Sequence, residues 1–123
     1  MHPHPKILVI EDNNELRTLF RAILKRQHLS MVEADDGAEG LVLAHEHKPL
    51  MILCDVHLKN SNGYEVLRQL KADPETNAIP VVMVSGAHDD GAALAAGADA
   101  FLSKPFTATE FLSLIRETLG SPA

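Results

Sequence analysis

The chain has 123 residues, the size of one domain with its own core. Its 46% apolar and 23% charged residues exclude a disordered chain, and its single cysteine excludes an internal disulfide. The net charge of −6 comes with scattered basic residues, so direct nucleic-acid binding is not expected. No apolar run approaches the ~20 residues of a membrane span, and the polar amino terminus is too short for a signal peptide. We therefore expect a cytoplasmic protein without membrane contact.

Five apolar runs along the chain predict five β-strands. They lie at residues 7–10, 31–34, 51–54, 81–84 and 101–103. The second run is the weakest and is expected at a sheet edge. The central runs are continuous in Val, Ile and Leu, which is typical of parallel strands that are covered on both faces.

Helical periodicity fills the intervals between the strands. The apolar stripe of the first helix consists of Leu16, Leu19, Phe20, Ile23 and Leu24. The later helices are predicted to start at Asp36, at Gly63, at residue 90 and after a capping box of Thr107 and Glu110. Leu41 and Val42 are apolar positions of the second helix, and the fourth, at residues 90–96, is short and rich in alanine.

This alternation predicts an α/β fold of the (βα)5 type. Parallel strands need crossover helices, and right-handed crossovers place these helices on both faces of the sheet. The result is a doubly wound three-layer sandwich around a five-stranded parallel sheet. We expect a single domain over residues 1–123, with a core at about 5–120 and no output domain.

Four of the predicted strands run into polar residues with useful chemistry. These residues are Glu11, Asp12, Asp55, Ser85 and Lys104. The carboxyl ends of the strands share one edge of the sheet, where ligands of such folds bind. Three carboxylates there would repel one another unless a cation neutralised them, and oxygen ligands suit Mg²⁺. Together with a hydroxyl and an ammonium, Mg²⁺ would bind a phosphoryl group, leaving one carboxylate as the nucleophile.

With these residues, the chain resembles the receiver domain of two-component response regulators, in its stand-alone, chemotaxis-regulator-like form. The matching segments are residues 9–13 (Val-Ile-Glu-Asp-Asn), 53–58 (Leu-Cys-Asp-Val-His-Leu) with Gly63, 84–87 (Val-Ser-Gly-Ala) and 97–106 (Gly-Ala-Asp-Ala-Phe-Leu-Ser-Lys-Pro-Phe). Each segment alone is moderately specific, but the four in order on consecutive strands are highly specific. The resemblance implies a flavodoxin-like sheet with the strand order 2-1-3-4-5.

The resemblance implies that Asp55 is the phosphoacceptor. It would take a phosphoryl group from a phosphohistidine of a sensor histidine kinase or a phosphotransfer protein. Asp12 and Asp55 would bind Mg²⁺ directly, and Mn²⁺ could substitute for it. Glu11 would act on the metal through water, and His57 through its backbone carbonyl.

The resemblance also implies how the phosphoryl group is held and sensed. Ser85 and Lys104 would bind its oxygens, with Pro105 in a cis peptide bond that fixes the lysine. Phe101 would be the switch aromatic. The protein would act on a downstream effector as a monomer or weak homodimer. It would not be an enzyme, beyond catalysing its own aspartyl phosphorylation and dephosphorylation.

The sequence departs from the family pattern in four places. Lys59 replaces a common proline, which predicts a more mobile loop after Asp55. Phe101 replaces the commoner tyrosine, and His57 and Ala87 occupy variable positions that tune phosphoryl lifetime in the family. The interval between Ser85 and Lys104 is shorter than usual. This shortening falls in the region of the predicted fourth helix, which in the family reports phosphorylation.

The same residues also bear on several alternative functions. A phosphorelay intermediate, or a degenerate receiver that acts as a phosphorylation-independent interaction module, stays open. A haloacid-dehalogenase-type phosphohydrolase would need a second acid at His57, and no phosphate-binding loop for nucleotides exists. A flavodoxin-like carrier would need hydroxyl groups where Glu11 and Asp12 stand. His45 and His47 are expected to contact solvent or the helix dipole rather than a metal.

Overall fold

The structure is a computed structural model that describes residues 5–86 and 97–120. Five parallel strands form the main sheet, and two short antiparallel strands form a separate hairpin. In chain order the strands are β1 (Lys6–Ile10), β2 (Ser30–Ala34), β3 (Met51–Asp55), β4 (His57–Leu58), β5 (Ser61–Asn62), β6 (Val81–Ser85) and β7 (Ala100–Ser103). The main sheet has the order β2-β1-β3-β6-β7, because β4 and β5 belong to the hairpin. This is the predicted order 2-1-3-4-5, which is confirmed.

Four helices lie among the described residues, and side chains cap the start of each. They are α1 (Asn14–Arg26), α2 (Gly37–His47), α3 (Gly63–Ala72) and α4 (Ala108–Leu119). The capping residues are Asn13, Asp36, Asn62 and Thr107, and each accepts a hydrogen bond from a backbone N–H of the first turn. The predicted capping box of Thr107 and Glu110 is present. The helix predicted at residues 90–96 lies outside the described residues.

The sheet separates two apolar cores, which confirms the three-layer α/β sandwich. Alternate strand residues such as Ile10 and Ile52 face α2 and α3, where they join a buried cluster with Leu67 and Leu70. Their neighbours on the strands face α1 and α4 in a second cluster. The second cluster includes a group of three phenylalanines, with ring centroids 4.9–6.1 Å apart, formed by Phe20, Phe106 and Phe111. Because helices cover both faces, the carboxyl edge of the sheet is the part left free to form a site.

Two residues of the predicted helical stripes are exposed. Leu19 is 45% exposed, because α1 meets the sheet through Phe20, Ile23 and Leu24. Val42 on α2 is 55% exposed, since the buried residues of that helix include Ala44 and two glycines. Leu19 and Val42 therefore belong to the apolar positions of their helices but not to the buried face of either helix. Within residues 5–86 and 97–120, no helix has the length and apolar character that crossing a membrane requires.

Candidate functional site

Two buried carboxyl groups lie side by side at the carboxyl edge of the sheet. Glu11 follows the last residue of β1, and Asp55 is the last residue of β3. These strands are hydrogen-bonded neighbours, with Ile10 opposite Cys54. Glu11 is 1% and Asp55 3% exposed, so both carboxyl groups are almost fully withdrawn from water. Asp12, the next residue along the chain, is half-buried at the same edge.

One ammonium group reaches both buried acids. Lys104 follows β7, and its Nζ lies 2.8 Å from Oδ2 of Asp55 and 4.0 Å from Oε1 of Glu11. The backbone N–H of Lys104 donates to the carbonyl of Ser85 over 2.7 Å, which anchors the start of this loop to the end of β6. The peptide bond from Lys104 to Pro105 is cis. A single positive charge thus faces two buried carboxyl groups, so it offsets the charge of one of them.

The second oxygen of Asp55 is held by the hairpin that follows β3. Oδ1 accepts a hydrogen bond of 2.9 Å from the backbone N–H of His57. His57 pairs with Asn62 across the hairpin, so the loop that contains Lys59 carries antiparallel strand pairing. Gly63 closes this segment, and its N–H donates to the Val56 carbonyl over 2.8 Å. Both oxygens of Asp55 are therefore held in a fixed orientation by one backbone and one side-chain donor.

Two buried polar atoms in this pocket lack a hydrogen-bond partner among the described residues. They are Oε1 of Glu11 and Oγ of Ser85, the last residue of β6. Oε2 of Glu11 accepts from the Asn13 N–H over 3.1 Å. Buried polar groups are nearly always paired, so these two atoms are free to bind a ligand as far as the described residues are concerned.

The electrostatics of the pocket favour binding of a cation. Burial raises the pKa of Glu11 to about 8, and the Asp55 carboxylate adds to this rise. The Asn13 N–H and the Lys104 ammonium oppose it without cancelling it. The donor set consists of carboxylate oxygens, which suit a hard divalent ion such as Mg²⁺. The residues present thus fit a Mg²⁺ site, in which Asp12 and Asp55 would supply oxygens directly and Glu11 through water.

The predicted site residues come together to different degrees. Glu11, Asp55 and Lys104 are in direct reach of one another, and Ser85 ends the strand beside β3. Phe101 lies on β7, where it is half-buried against the core on the α2 and α3 side of the sheet. Ala87 lies outside the described residues.

Arg17 is a residue of this site that the sequence did not reveal. Its Nη1 donates to the Glu11 carbonyl over 2.6 Å, and its Nε donates to Oε1 of Glu33 on β2 over 3.1 Å. The side chain is 15% exposed. Arg17 therefore connects the loop that contains Glu11 and Asp12 to the edge strand β2 through hydrogen bonds. An arginine on a helix gives no sequence signal of this role, because the role depends on a backbone carbonyl six residues earlier.

The sequence matches the family model of the response regulator receiver domain over residues 7–116. The chain belongs to the response regulator receiver domains. Among curated relatives of this receiver domain, the polar-differentiation response regulator DivK of Brucella anthropi is 33% identical over 117 residues. That match covers 93% of the chain and 95% of DivK. The relatives therefore resemble the receiver domain along nearly its whole length.

Solved structures resemble this receiver domain closely. The receiver domain of a sensor histidine kinase from Pseudomonas aeruginosa PAO1, which has a magnesium ion coordinated in its active-site cleft, is 26% identical with a TM-score of 0.88. The match covers 96% of this chain and 99% of that one. The chemotaxis response regulator CheY4 of Vibrio cholerae matches at 23% identity and a TM-score of 0.88, covering 94% and 99% of the two chains. This second likeness concerns the fold alone. The protein is a receiver domain of two-component signalling.

Proposed function

We propose that the receiver domain is a Mg²⁺-dependent phosphoacceptor switch with Asp55 as its acceptor. The observation that carries the proposal is the pairing of Asp55 with Glu11 at the carboxyl edge, both buried and facing the Lys104 ammonium. A carboxylate in this position has a fixed orientation and a neighbouring positive charge. Phosphoryl transfer depends mainly on positioning and charge neutralisation, which this pocket supplies.

The reaction transfers a phosphoryl group from a phosphohistidine of a sensor histidine kinase or phosphotransfer protein. One carboxylate oxygen of Asp55 attacks the phosphorus, the N–P bond breaks, and its electron pair stays on the imidazole of the donor. Asp12 and Asp55 would hold Mg²⁺ directly, Glu11 would hold it through water and His57 through its backbone carbonyl, and the ion would supply positive charge to the phosphoryl oxygens. Hydrolysis of the resulting acyl phosphate by water resets the switch, so the domain catalyses only its own modification and its reversal.

The remaining site residues bind and sense the phosphoryl group. The Lys104 ammonium moves from the Asp55 carboxylate to a phosphoryl oxygen, because phosphorylation places the negative charge on that oxygen instead of on Asp55. The Ser85 hydroxyl, which has no partner in the described part of the chain, donates to a second phosphoryl oxygen. Phe101, half-buried on β7, turns inward when Ser85 engages and so reports the modification to an effector protein. The domain acts as a monomer or weak homodimer, and Mn²⁺ substitutes for Mg²⁺.

Intact-mass measurement after incubation with acetyl phosphate tests this proposal. With Mg²⁺ the protein should gain one phosphoryl group, and with a chelator it should gain none. Asp55→Asn should abolish the gain. Asp35→Asn is the matched control, because Asp35 also follows a strand but is exposed and lies outside the pocket. Equal labelling of the Asp55→Asn variant and the wild type would overturn the assignment of the acceptor.

A further inference from the structure

A second group of potential metal ligands lies at the opposite end of the sheet from Asp55. His45 is in the last turn of α2, Asp73 directly follows α3, and Glu75 lies two residues further along. One ligand atom from each of these side chains lies within 4.8 Å of the other two. Helix α2 leads into the first residue of β3, so this group is at the amino ends of the strands. It is separate from the acid pocket at their carboxyl ends.

The imidazole of His45 is oriented in the way that metal-binding histidines usually are. Its Nδ1 lies 2.9 Å from the Leu41 carbonyl oxygen, which can only accept, so Nδ1 carries a hydrogen and donates. Metal-binding histidines commonly donate their other ring N–H to a carbonyl or carboxylate in this manner. With Nδ1 donating to its own helix, Nε2 points away from α2 and toward Asp73.

Nε2 of His45 lies only 2.6 Å from Oδ2 of Asp73. Two lone pairs cannot face each other at this distance without a cation that both of them bind. Oδ1 of Asp73 accepts the Glu75 N–H over 2.9 Å, so the carboxylate is held with Oδ2 directed at the imidazole. A proton fills this gap as it stands, whereas a zinc ion, at about 2.0–2.1 Å from each ligand atom, requires Nε2 and Oδ2 to move apart.

Glu75 supplies the third oxygen ligand and is able to move toward the other two. Its side chain is 69% exposed, and its present partner is Lys48, with Nζ 3.4 Å from Oε1. The Lys48 side chain is itself 48% exposed, and exposed pairs of this kind contribute little to stability. A divalent ion would replace Lys48 as the partner of Glu75 at small cost.

We propose that His45, Asp73 and Glu75 form a second, transition-metal site that takes Zn²⁺. One imidazole and two carboxylates are ligands that Zn²⁺ accepts, and a water completes four-coordination. The imidazole distinguishes this site from the all-oxygen Mg²⁺ site. Because the ligands come from the ends of two helices, the bound ion joins α2 to α3 and stabilises the folded state. Under this proposal His45 would bind a metal, whereas the sequence alone led us to expect a contact with solvent or the helix dipole.

Calorimetric titration with Zn²⁺ at neutral pH, in untagged protein with millimolar Mg²⁺, tests this site. Every protein in this test, including the reference protein, carries His2→Ala and His4→Ala, so that these two terminal histidines cannot bind Zn²⁺. We expect one Zn²⁺ per chain and a higher melting temperature. Loss of an outer partner of a metal ligand already costs about 10–100-fold in affinity. His45→Gln and Asp73→Asn should therefore weaken binding by about tenfold or more, and Glu75→Gln by less.

His47→Gln is the matched control, since His47 is on the same helix but contacts Lys6 instead, with Nδ1 3.1 Å from Nζ. It should bind Zn²⁺ as the reference protein does. In imidazole ¹⁵N spectra, Zn²⁺ should shift Nε2 of His45 and leave its Nδ1 protonated. Equal weakening by His45→Gln and His47→Gln would overturn the proposal. So would an Nε2 signal that Zn²⁺ leaves unchanged, because a proton is then the cation between His45 and Asp73.

Discussion

The ammonium of Lys104 lies 2.8 Å from Oδ2 of Asp55, although the two residues are 49 positions apart in the sequence. It is also 4.0 Å from Oε1 of Glu11, the other buried acid of the pocket. Lys104 therefore acts in the pocket as a built-in cation for two buried acids. Several consequences of this arrangement can be measured.

Lys104→Met should destabilise the protein most when Mg²⁺ is absent. Methionine keeps much of the side-chain length but removes the donor to Asp55, and leaving a buried acceptor unpaired costs about 1–3 kcal/mol. Chemical unfolding in EDTA should show this loss in unfolding free energy. Millimolar Mg²⁺ should raise the melting temperature of the variant more than that of the wild type, because the ion supplies the missing charge.

Lys59→Met, at an exposed lysine of the same edge, is the control. Equal losses in the two variants would contradict the assigned role of Lys104.

The raised pKa of Glu11 predicts that stability falls as pH rises when Mg²⁺ is absent. Below the ordinary pKa of 4.5 both states hold the proton, and above about 8 neither does. Between these values the folded state holds the proton and the unfolded state has lost it, so unfolding free energy declines across this window. A pKa difference of one corresponds to about 1.4 kcal/mol, so the decline should reach a few kcal/mol.

Melting temperatures in EDTA across this pH window measure the effect. Glu11→Gln should remove most of the decline, because glutamine does not titrate, and the difference between the two proteins isolates Glu11 from other titrating groups. Saturating Mg²⁺ should also flatten the curve, since the ion favours the ionised carboxylate. Parallel curves for the wild type and Glu11→Gln would show that the buried carboxyl group does not titrate in this range.

The sequence predicted the sheet and the edge at which the acids meet, because strong periodic signals repeat along the chain. Continuous apolar runs such as residues 51–54 can form strands only where both faces are covered. The topology then brings Glu11 and Asp55 to one edge, whatever the details of packing. This is why residues far apart in the sequence could be assigned to one pocket.

Features that depend on exact packing could not be predicted in this way. Leu19 fits the helical period but is exposed to solvent. The period alone does not predict how wide the buried face of α1 is. The bond from Arg17 to the Glu11 carbonyl is invisible to any pattern of side chains. The group formed by His45 and Asp73 joins two helix ends whose distance is set only by how α2 and α3 pack.

Ser85→Ala should leave stability almost unchanged but slow phosphorylation. The buried Ser85 hydroxyl has no partner within residues 5–86 and 97–120, so its removal loses none of the hydrogen bonds seen there and can even be slightly stabilising. In the reaction the same hydroxyl is expected to bind a developing charge, and removal of one such donor costs about 10²-fold in rate. The rate of labelling by acetyl phosphate, followed by intact mass, measures this. Ser85→Thr keeps the hydroxyl and should label faster than Ser85→Ala. Labelling of Ser85→Ala at the wild-type rate would contradict the role.

Gly63→Ala should damage both stability and the acceptor, because Gly63 packs directly on the backbone of Asp55. A Cβ at residue 63 would lie 2.1 Å from the Asp55 carbonyl oxygen and 2.8 Å from Cα of Val56. These are backbone atoms, so the strand end and the N–H of His57 that orients the Asp55 carboxylate must shift. Overpacking of this kind costs about 1–3 kcal/mol, which urea unfolding should resolve. Labelling by acetyl phosphate should also slow.

Gly86→Ala is the control, since a Cβ there meets no heavy atom within 4 Å among the described residues. If Gly63→Ala is as stable and as reactive as Gly86→Ala, the backbone of Asp55 is not held by this contact.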